Sequence, residues 1–261
     1  MTNPTNVSSS HVSLALVTGG SRGLGKSMAL HLAERGIDVI LTYHRRADEA
    51  RQVVETIRAQ GRKAVALAFD AGDTKSFGAF AESVKKALAD TWKRRDFDAL
   101  VNNAGHGAYS PFAETTESQF DDMMSTHLKG PFFLTQRLLP LIAPGGRIVN
   151  VSSGLARFSL PGYAAYAVMK GGVEVLTRYL AVELAAREIS VNTIAPGAIA
   201  TDFGGGAVRD NPELNAMIAG QTALGRVGVA DDIGGAVALL LAPESRWING
   251  QRIEASGGIH L

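Results

Sequence analysis

The chain has 261 residues, 46% hydrophobic and 20% charged, with 29 glycines, a composition that fits a globular protein long enough to bury its own core. Cysteine is absent, which rules out a disulfide scaffold, a thiolate zinc site, an iron–sulfur cluster and a thiol nucleophile. The 26 Lys+Arg against 25 Asp+Glu leave +1, without a block of five like charges, so nucleic acid and membrane are not expected partners and no metal is expected; small-molecule chemistry is.

Residues 1–10 are polar and lack the basic and apolar regions of a secretory signal, so they read as a disordered tail before a single domain over 11–261 in a cytoplasmic protein. The apolar run 236–242 is far short of the roughly 20 residues that a membrane span needs. From Val12 onward, short apolar runs alternate with segments of helical period. Residues 14–18 read as a buried strand, followed by a glycine turn and a helix whose Leu24, Met28, Ala29, Leu32 and Ala33 share one face before a cap at Gly36. Strands are expected at 37–43, 64–69, 99–102, 147–151, 190–194 and 248–255, and helices at 47–60, 74–89, near 117–142 and at 163–186. Strands apolar on both faces and separated by helices imply an α/β fold: one doubly wound Rossmann-type domain with a seven-stranded parallel sheet. The irregular stretch 195–225, with Gly204, Gly205 and Gly206, reads as a substrate lid after the sixth strand.

The turn Thr18-Gly19-Gly20-Ser21-Arg22-Gly23-Leu24-Gly25 joins the first strand to the first helix. Glycines there let the backbone approach a pyrophosphate, and the helix N-terminus offers free N–H groups. At the end of the second strand a NAD site would place an acid; this chain has His44, Arg45 and Arg46 instead. Guanidinium groups suit a 2′-phosphate, with Arg22 approaching from the turn, which favours NADP; the plain alternative is that Arg45 and Arg46 are solvated loop charges. Tyr166 and Lys170 lie four apart on a helix, so an ammonium sits beside a phenol and is expected to lower its pKa. Ser153 ends the fifth strand at the carboxyl edge, where ligands of open α/β sheets bind.

Together these residues resemble the short-chain dehydrogenase/reductase family, from Val12 to Gly258. The motifs are the glycine turn from Thr18 to Gly25, Asn102-Asn103-Ala104-Gly105 after the fourth strand, Ser153, the pair Tyr166 and Lys170, and Pro196-Gly197 after the sixth strand. The resemblance is nearest to the NADP-using branch with 3-oxoacyl-acyl-carrier-protein reductases and broad ketone reductases. It implies that Tyr166 is the general acid, Ser153 orients the carbonyl oxygen, and Lys170 tunes the Tyr and holds the nicotinamide ribose. The cofactor would then lie along Gly19, Ser21, Gly23, Leu24 and Gly25, along Asp70 and Ala71, along Asn103, Ala104 and Gly105, and along Pro196, Gly197, Ile199 and Thr201. Asp70 would contact adenine, or else serve as a strand-end turn residue. The substrate would be a small carbonyl compound or an acyl thioester, and the assembly a homotetramer.

Two positions depart from the family pattern. The residue aligned with its catalytic Asn is His127, and Ala255-Ser256 precede Gly257-Gly258 where an Asp or Asn is usual. Pro131 follows four residues after His127 and has no N–H, which predicts a kink and a freed His127 carbonyl able to accept from water. On that reading His127 serves the catalytic site and the enzyme is active. The other reading of His127 is an NADP-binding regulator or scaffold with lost or weak turnover. His106 and Tyr109 are candidates to face the substrate or to be wall residues.

Overall fold

A computed structural model describes residues 12–261; the tail expected over 1–10 lies outside the described residues. The strands are β1 (Leu14–Val17), β2 (Asp38–Tyr43), β3 (Ala64–Ala68), β4 (Phe97–Asn102), β5 (Ile142–Val151), β6 (Ser190–Pro196) and β7 (Arg252–Ala255). They form one seven-stranded sheet, parallel throughout, in the order β3-β2-β1-β4-β5-β6-β7. The helices are α1 (Gly23–Glu34), α2 (Ala47–Ala59), α3 (Phe77–Ala87), α4 (Glu117–Met124), α5 (Gly130–Leu138), α6 (Ala164–Glu183), α7 (Ala207–Asp210), α8 (Pro212–Gly220) and α9 (Ala230–Leu240).

The strand period of two divides the apolar residues between two cores. Ala15 and Val17 of β1 pack with Met28 and Leu32 of α1, Val53 and Ile57 of α2, and Ile233 and Val237 of α9. Leu14 and Leu16 of the same strand face Phe77 and Phe80 of α3, Leu134 and Leu138 of α5, and Ala181 of α6. The chain leaves β3 at one edge and re-enters the sheet at β4 on the far side of β1, so the loops after β1 and β4 diverge. A crevice at that reversal is where such sheets bind nucleotides. Among the described residues no helix is long and apolar enough to cross a membrane.

Three expectations are corrected. The helix expected near 117–142 is divided, with α4 and α5 joined by a π-helical turn, Ser125–Lys129, in place of a kink. Pro131 offers no N–H, and the wider turn lets Gly130 N–H reach back five residues to the Ser125 carbonyl. The lid stretch 195–225 carries α7 and α8; the Asn211 side chain accepts from the amides of Glu213 and Leu214, with Pro212 opening α8. The strands also shift, since β4 and β5 begin earlier, at Phe97 and Ile142, and β7 only at Arg252, after a turn at Gly250 with φ +70.

Candidate active site

The glycine turn is shaped from below. Gly19 has φ +66 and Gly23 φ +53, left-handed conformations that favour glycine. A Cβ on Gly25 would lie 2.1 Å from the Gly19 carbonyl oxygen, so α1 reaches the turn only because that residue is glycine. Asn103 Nδ2 donates to the Thr18 carbonyl at 2.8 Å and to that of Gly19 at 3.3 Å, while Thr18 Oγ1 accepts from the amides of Asn103 and Ala104, both at 2.9 Å. The Asn103 side chain therefore supports the turn from the β4 side. Thr18 holds two loops together, a role that the motif reading missed although Thr18 opens the motif. The first turn of α1 has no side-chain cap, which leaves its amides available to an anion.

Beyond β2, His44 Nε2 lies 3.4 Å from Asp70 Oδ2, and Asp70 Oδ1 accepts from Gly72 N–H at 2.9 Å. Asp70 is thus a strand-end turn residue that also lies beside His44. Arg46 pairs with Glu49 within α2, and Arg22 donates to Asp202 of the lid at 3.0 Å. Arg45 is exposed and has no acidic partner among the described residues. Ala71 lies under Gly130, whose Cβ would come within 2.4 Å of the Ala71 carbonyl. Pro196 ends β6, and Gly197 lies so close to Ser256 that a Cβ would meet its Cα at 2.9 Å. Ile199 bridges to Gly228, and Thr201 is the nearest neighbour of Gly23, at 3.9 Å from where a Cβ would be. Ser21, Leu24, Ala104 and Gly105 occupy the same carboxyl edge of the sheet.

Tyr166 and Lys170 are buried on α6, and the Lys170 ammonium lies 5.5 Å from the Tyr166 ring centroid. Lys170 Nζ donates to the Val151 carbonyl at 2.8 Å, at the end of β5. Burial pushes its pKa down to about 8. Ser153 follows β5; its Oγ accepts from Leu155 N–H at 3.2 Å, and its hydroxyl acts to lower the pKa of the Tyr166 phenol. The expectation of a lowered Tyr166 pKa is corrected: burial raises it, and the opposing influence is the Ser153 hydroxyl.

His127 sits in the π-helical turn, 1% exposed, with its ring edge-on to Tyr166 at 5.1 Å between centroids. A Cβ on Gly105 would lie 2.5 Å from the imidazole Cε1, so glycine at 105 is what admits the ring. The His106 ring lies 5.4 Å from that of His127 between centroids and meets Asp122 through Nε2 at 2.7 Å. Two residues without a sequence signal complete the wall. Phe203 of the lid meets the Tyr166 ring at 5.7 Å, and Asp202 links Arg22 to Arg209.

Among known proteins, the chain matches the family model described as enoyl-(acyl carrier protein) reductase over residues 19–260. It is 37% identical to the 3-oxoacyl-(acyl-carrier-protein) reductase FabG of Staphylococcus aureus, over 95% of this chain and 98% of the relative. It is 35% identical to the hydroxynaphthalene reductase-like protein Arp2 of Metarhizium brunneum, over 94% of each. Two solved structures are similar at a TM-score of 0.90 and 36% identity. One is the promiscuous reductase LugOII, which catalyses keto-reduction at C1 during lugdunomycin biosynthesis, with 95% of this chain and 97% of that chain covered. The other is the angucycline C-6 ketoreductase LanV with bound NADP, with 94% and 95% covered.

Proposed function

The chain belongs to the short-chain dehydrogenase/reductase family, and from that premise we propose the part that each residue of the site takes. The protein is an NADPH-dependent oxidoreductase that reduces a carbonyl group to a secondary alcohol. The cradle fits a dinucleotide, because the uncapped amides at the start of α1 are available to its phosphates. When bound, NADPH supplies the hydride for the carbonyl carbon.

Tyr166 donates the phenolic proton to the carbonyl oxygen, completing the alcohol. Ser153 gives that oxygen a second hydrogen bond and keeps the phenol aimed at it. Lys170, anchored to the Val151 carbonyl, holds the nicotinamide ribose, while the Ser153 hydroxyl opposes the burial that raises the phenol's pKa. His127 seals the floor beneath Tyr166 as a neutral ring. Arg45, Arg46, His44 and Arg22 receive the 2′-phosphate, Asp70 and Ala71 the adenine side, and Pro196, Gly197, Ile199 and Thr201 the nicotinamide side. Cofactor and substrate sites share one unit.

The observation that carries these roles is a buried Tyr166 beside a buried Lys170, whose ammonium lies 5.5 Å from the Tyr166 ring centroid and donates to the Val151 carbonyl. The test is NADPH oxidation against a panel of ketones, diketones and acyl thioesters. Tyr166→Phe is expected to lower turnover at least roughly 100-fold while NADPH affinity stays within about threefold, since only the proton donor is lost. Residual activity within tenfold of the unsubstituted enzyme overturns the assignment of Tyr166. The same reading takes the assembly as a homotetramer. Exposed Phe132 and Phe133 on α5, with Val168, Val175, Tyr179 and Val182 on α6, support it, and light scattering should return four times 27.5 kDa.

A further inference from the structure

Resting on the carbonyl-reductase reading, we propose that the cleft outside Tyr166 takes a neutral, flat, fused-ring aromatic ketone that is not attached to a carrier protein, and that Phe203 and Tyr109 select it. The cleft has a volume of roughly 300 Å³, within the range of small-ligand pockets. Its lining, which includes Tyr109, Phe112, Leu155, Leu160 and Tyr163, contains no charged side chain among the described residues. It adjoins the reacting end, where Phe203, outside this lining, meets Tyr166. Leu155 N–H bonds to Ser153 Oγ, and Tyr163 stands one turn before Tyr166 at the head of α6.

The aromatic walls are set in place by glycines. The Phe203 ring lies where a Cβ on Gly107 would be, at 2.7 Å, and from there it meets Tyr166 at 5.7 Å and 61°. Tyr109 lies where a Cβ on Gly162 would be, at 2.2 Å, and it meets Tyr163 edge-on at 5.5 Å and 74°. Each ring thus rests against a glycine backbone, leaving surface to stack on a planar guest; Tyr109 is 65% exposed and Phe203 42%.

The ion pairs of the surrounding loops argue against a carrier-bound acyl chain. An acidic carrier would need unpaired cations to dock on. Here Arg157 pairs with Glu254, Arg209 with Asp202 and Asp210, Arg22 with Asp202, and His106 with Asp122. Each of these cations already holds an acid, and the cleft lining carries no charged side chain.

The experiment measures steady-state kinetics with NADPH on 1-tetralone, 2,3-butanedione and an acetoacetyl-acyl carrier protein. The expected result is a kcat/KM for 1-tetralone at least tenfold above that for the carrier-bound substrate. Phe203→Ala and Tyr109→Ala should each lower the ratio of kcat/KM for 1-tetralone over 2,3-butanedione at least fivefold, chiefly through KM for the tetralone. Phe203→Tyr and Tyr109→Phe, which keep the rings, should hold that ratio within twofold. A preference for the carrier-bound substrate, or an unchanged ratio in both alanine variants, overturns the proposal. Reduction of 2,3-butanedione without 1-tetralone overturns the proposal alone. Failure on every substrate by protein that still binds NADPH removes the carbonyl-reductase reading and the proposal with it.

Discussion

The main-chain N–H of His106 donates to Nε2 of His127 at 3.4 Å, and that bond places the imidazole proton on Nδ1. Nδ1 is buried without a partner among the described residues. Burial first, then the Lys170 and His106 charges, hold the ring's pKa down to about 2. His127 is therefore neutral throughout the working range.

A stability consequence follows from the sign of that shift. The unfolded chain takes up a proton near pH 6.5 and the folded chain only near 2, so the contribution is complete above pH 6.5 and is lost as pH falls toward 2. At pH 5 the loss is about 2 kcal/mol. His127→Asn removes the titration, so its Tm relative to the unsubstituted protein should rise by about 4–8 °C between pH 7.5 and pH 5. Thermal melts across that range check it, and a constant Tm difference would show that the ring protonates in the folded state.

Lys170 carries the same logic at alkaline pH. Its folded pKa of about 8 lies below the ordinary 10.5, so the unfolded state binds the extra proton between those values and stability rises with pH across that window. At pH 7 a charged ammonium is held in a buried place. Lys170→Met should abolish turnover yet stabilise the fold at pH 7 by about 1–2 kcal/mol, after subtracting about 1 kcal/mol for the hydrogen bond lost to Val151. The gain should fade as pH approaches 10.5. Denaturant melts at pH 7 and pH 10 decide this, and a destabilised variant at pH 7 would mean that the amine folds uncharged or hydrated.

Much of this was legible in the chain because it depends on neighbours in sequence. The alternation of Leu14, Ala15, Leu16 and Val17 sends two residues to each core, and the glycines from Gly19 to Gly25 mark the turn. The rest depends on contacts between distant segments. The missing N–H of Pro131 announces a disturbed helix but does not choose between a kink and a π-helical turn; Gly130 pressing on the Ala71 carbonyl belongs to that choice. The raised Tyr166 pKa reflects burial, which the spacing of Tyr166 and Lys170 does not encode. Phe203 meets Tyr166 from a segment 37 positions later, among glycines that read as irregular lid. The start of α8 is marked by Asn211-Pro212, a cap and a first-turn proline, inside the stretch whose Gly204, Gly205 and Gly206 read as irregular.

Cofactor preference separates the arginines. Arg46 already holds Glu49 and Arg22 already holds Asp202, whereas Arg45 holds no acid among the described residues. NADPH should be preferred over NADH by at least roughly tenfold, the worth of one charge-assisted bond to the 2′-phosphate. Arg45→Ala should erase most of that ratio, Arg46→Ala less, because Glu49 competes for the second guanidinium. Kinetics with both cofactors check the order. An unchanged ratio in the double variant would move the 2′-phosphate to Arg22 and His44.

Two alanine substitutions at helical glycines should act in opposite directions. A Cβ at Gly25 would lie 2.1 Å from the Gly19 carbonyl oxygen and 2.6 Å from Asn103 Nδ2. Neither neighbour can retreat freely: Gly19 N–H bonds to Thr42 Oγ1 at 3.0 Å, and Asn103 Nδ2 bonds to the Thr18 carbonyl at 2.8 Å. Gly25→Ala must push α1 away from the turn, costing roughly 2–3 kcal/mol by overpacking and lowering NADPH affinity at least tenfold. Gly235, inside α9, has nothing within 4 Å of its would-be Cβ. There Ala only narrows the unfolded ensemble and favours the helix, so Gly235→Ala should stabilise by about 0.5–1 kcal/mol with NADPH affinity unchanged. Thermal melts and NADPH titrations on both variants separate the cases. A Gly25→Ala protein that melts and binds NADPH like the unsubstituted chain would show that the close approach of α1 to Gly19 does not form the cofactor cradle.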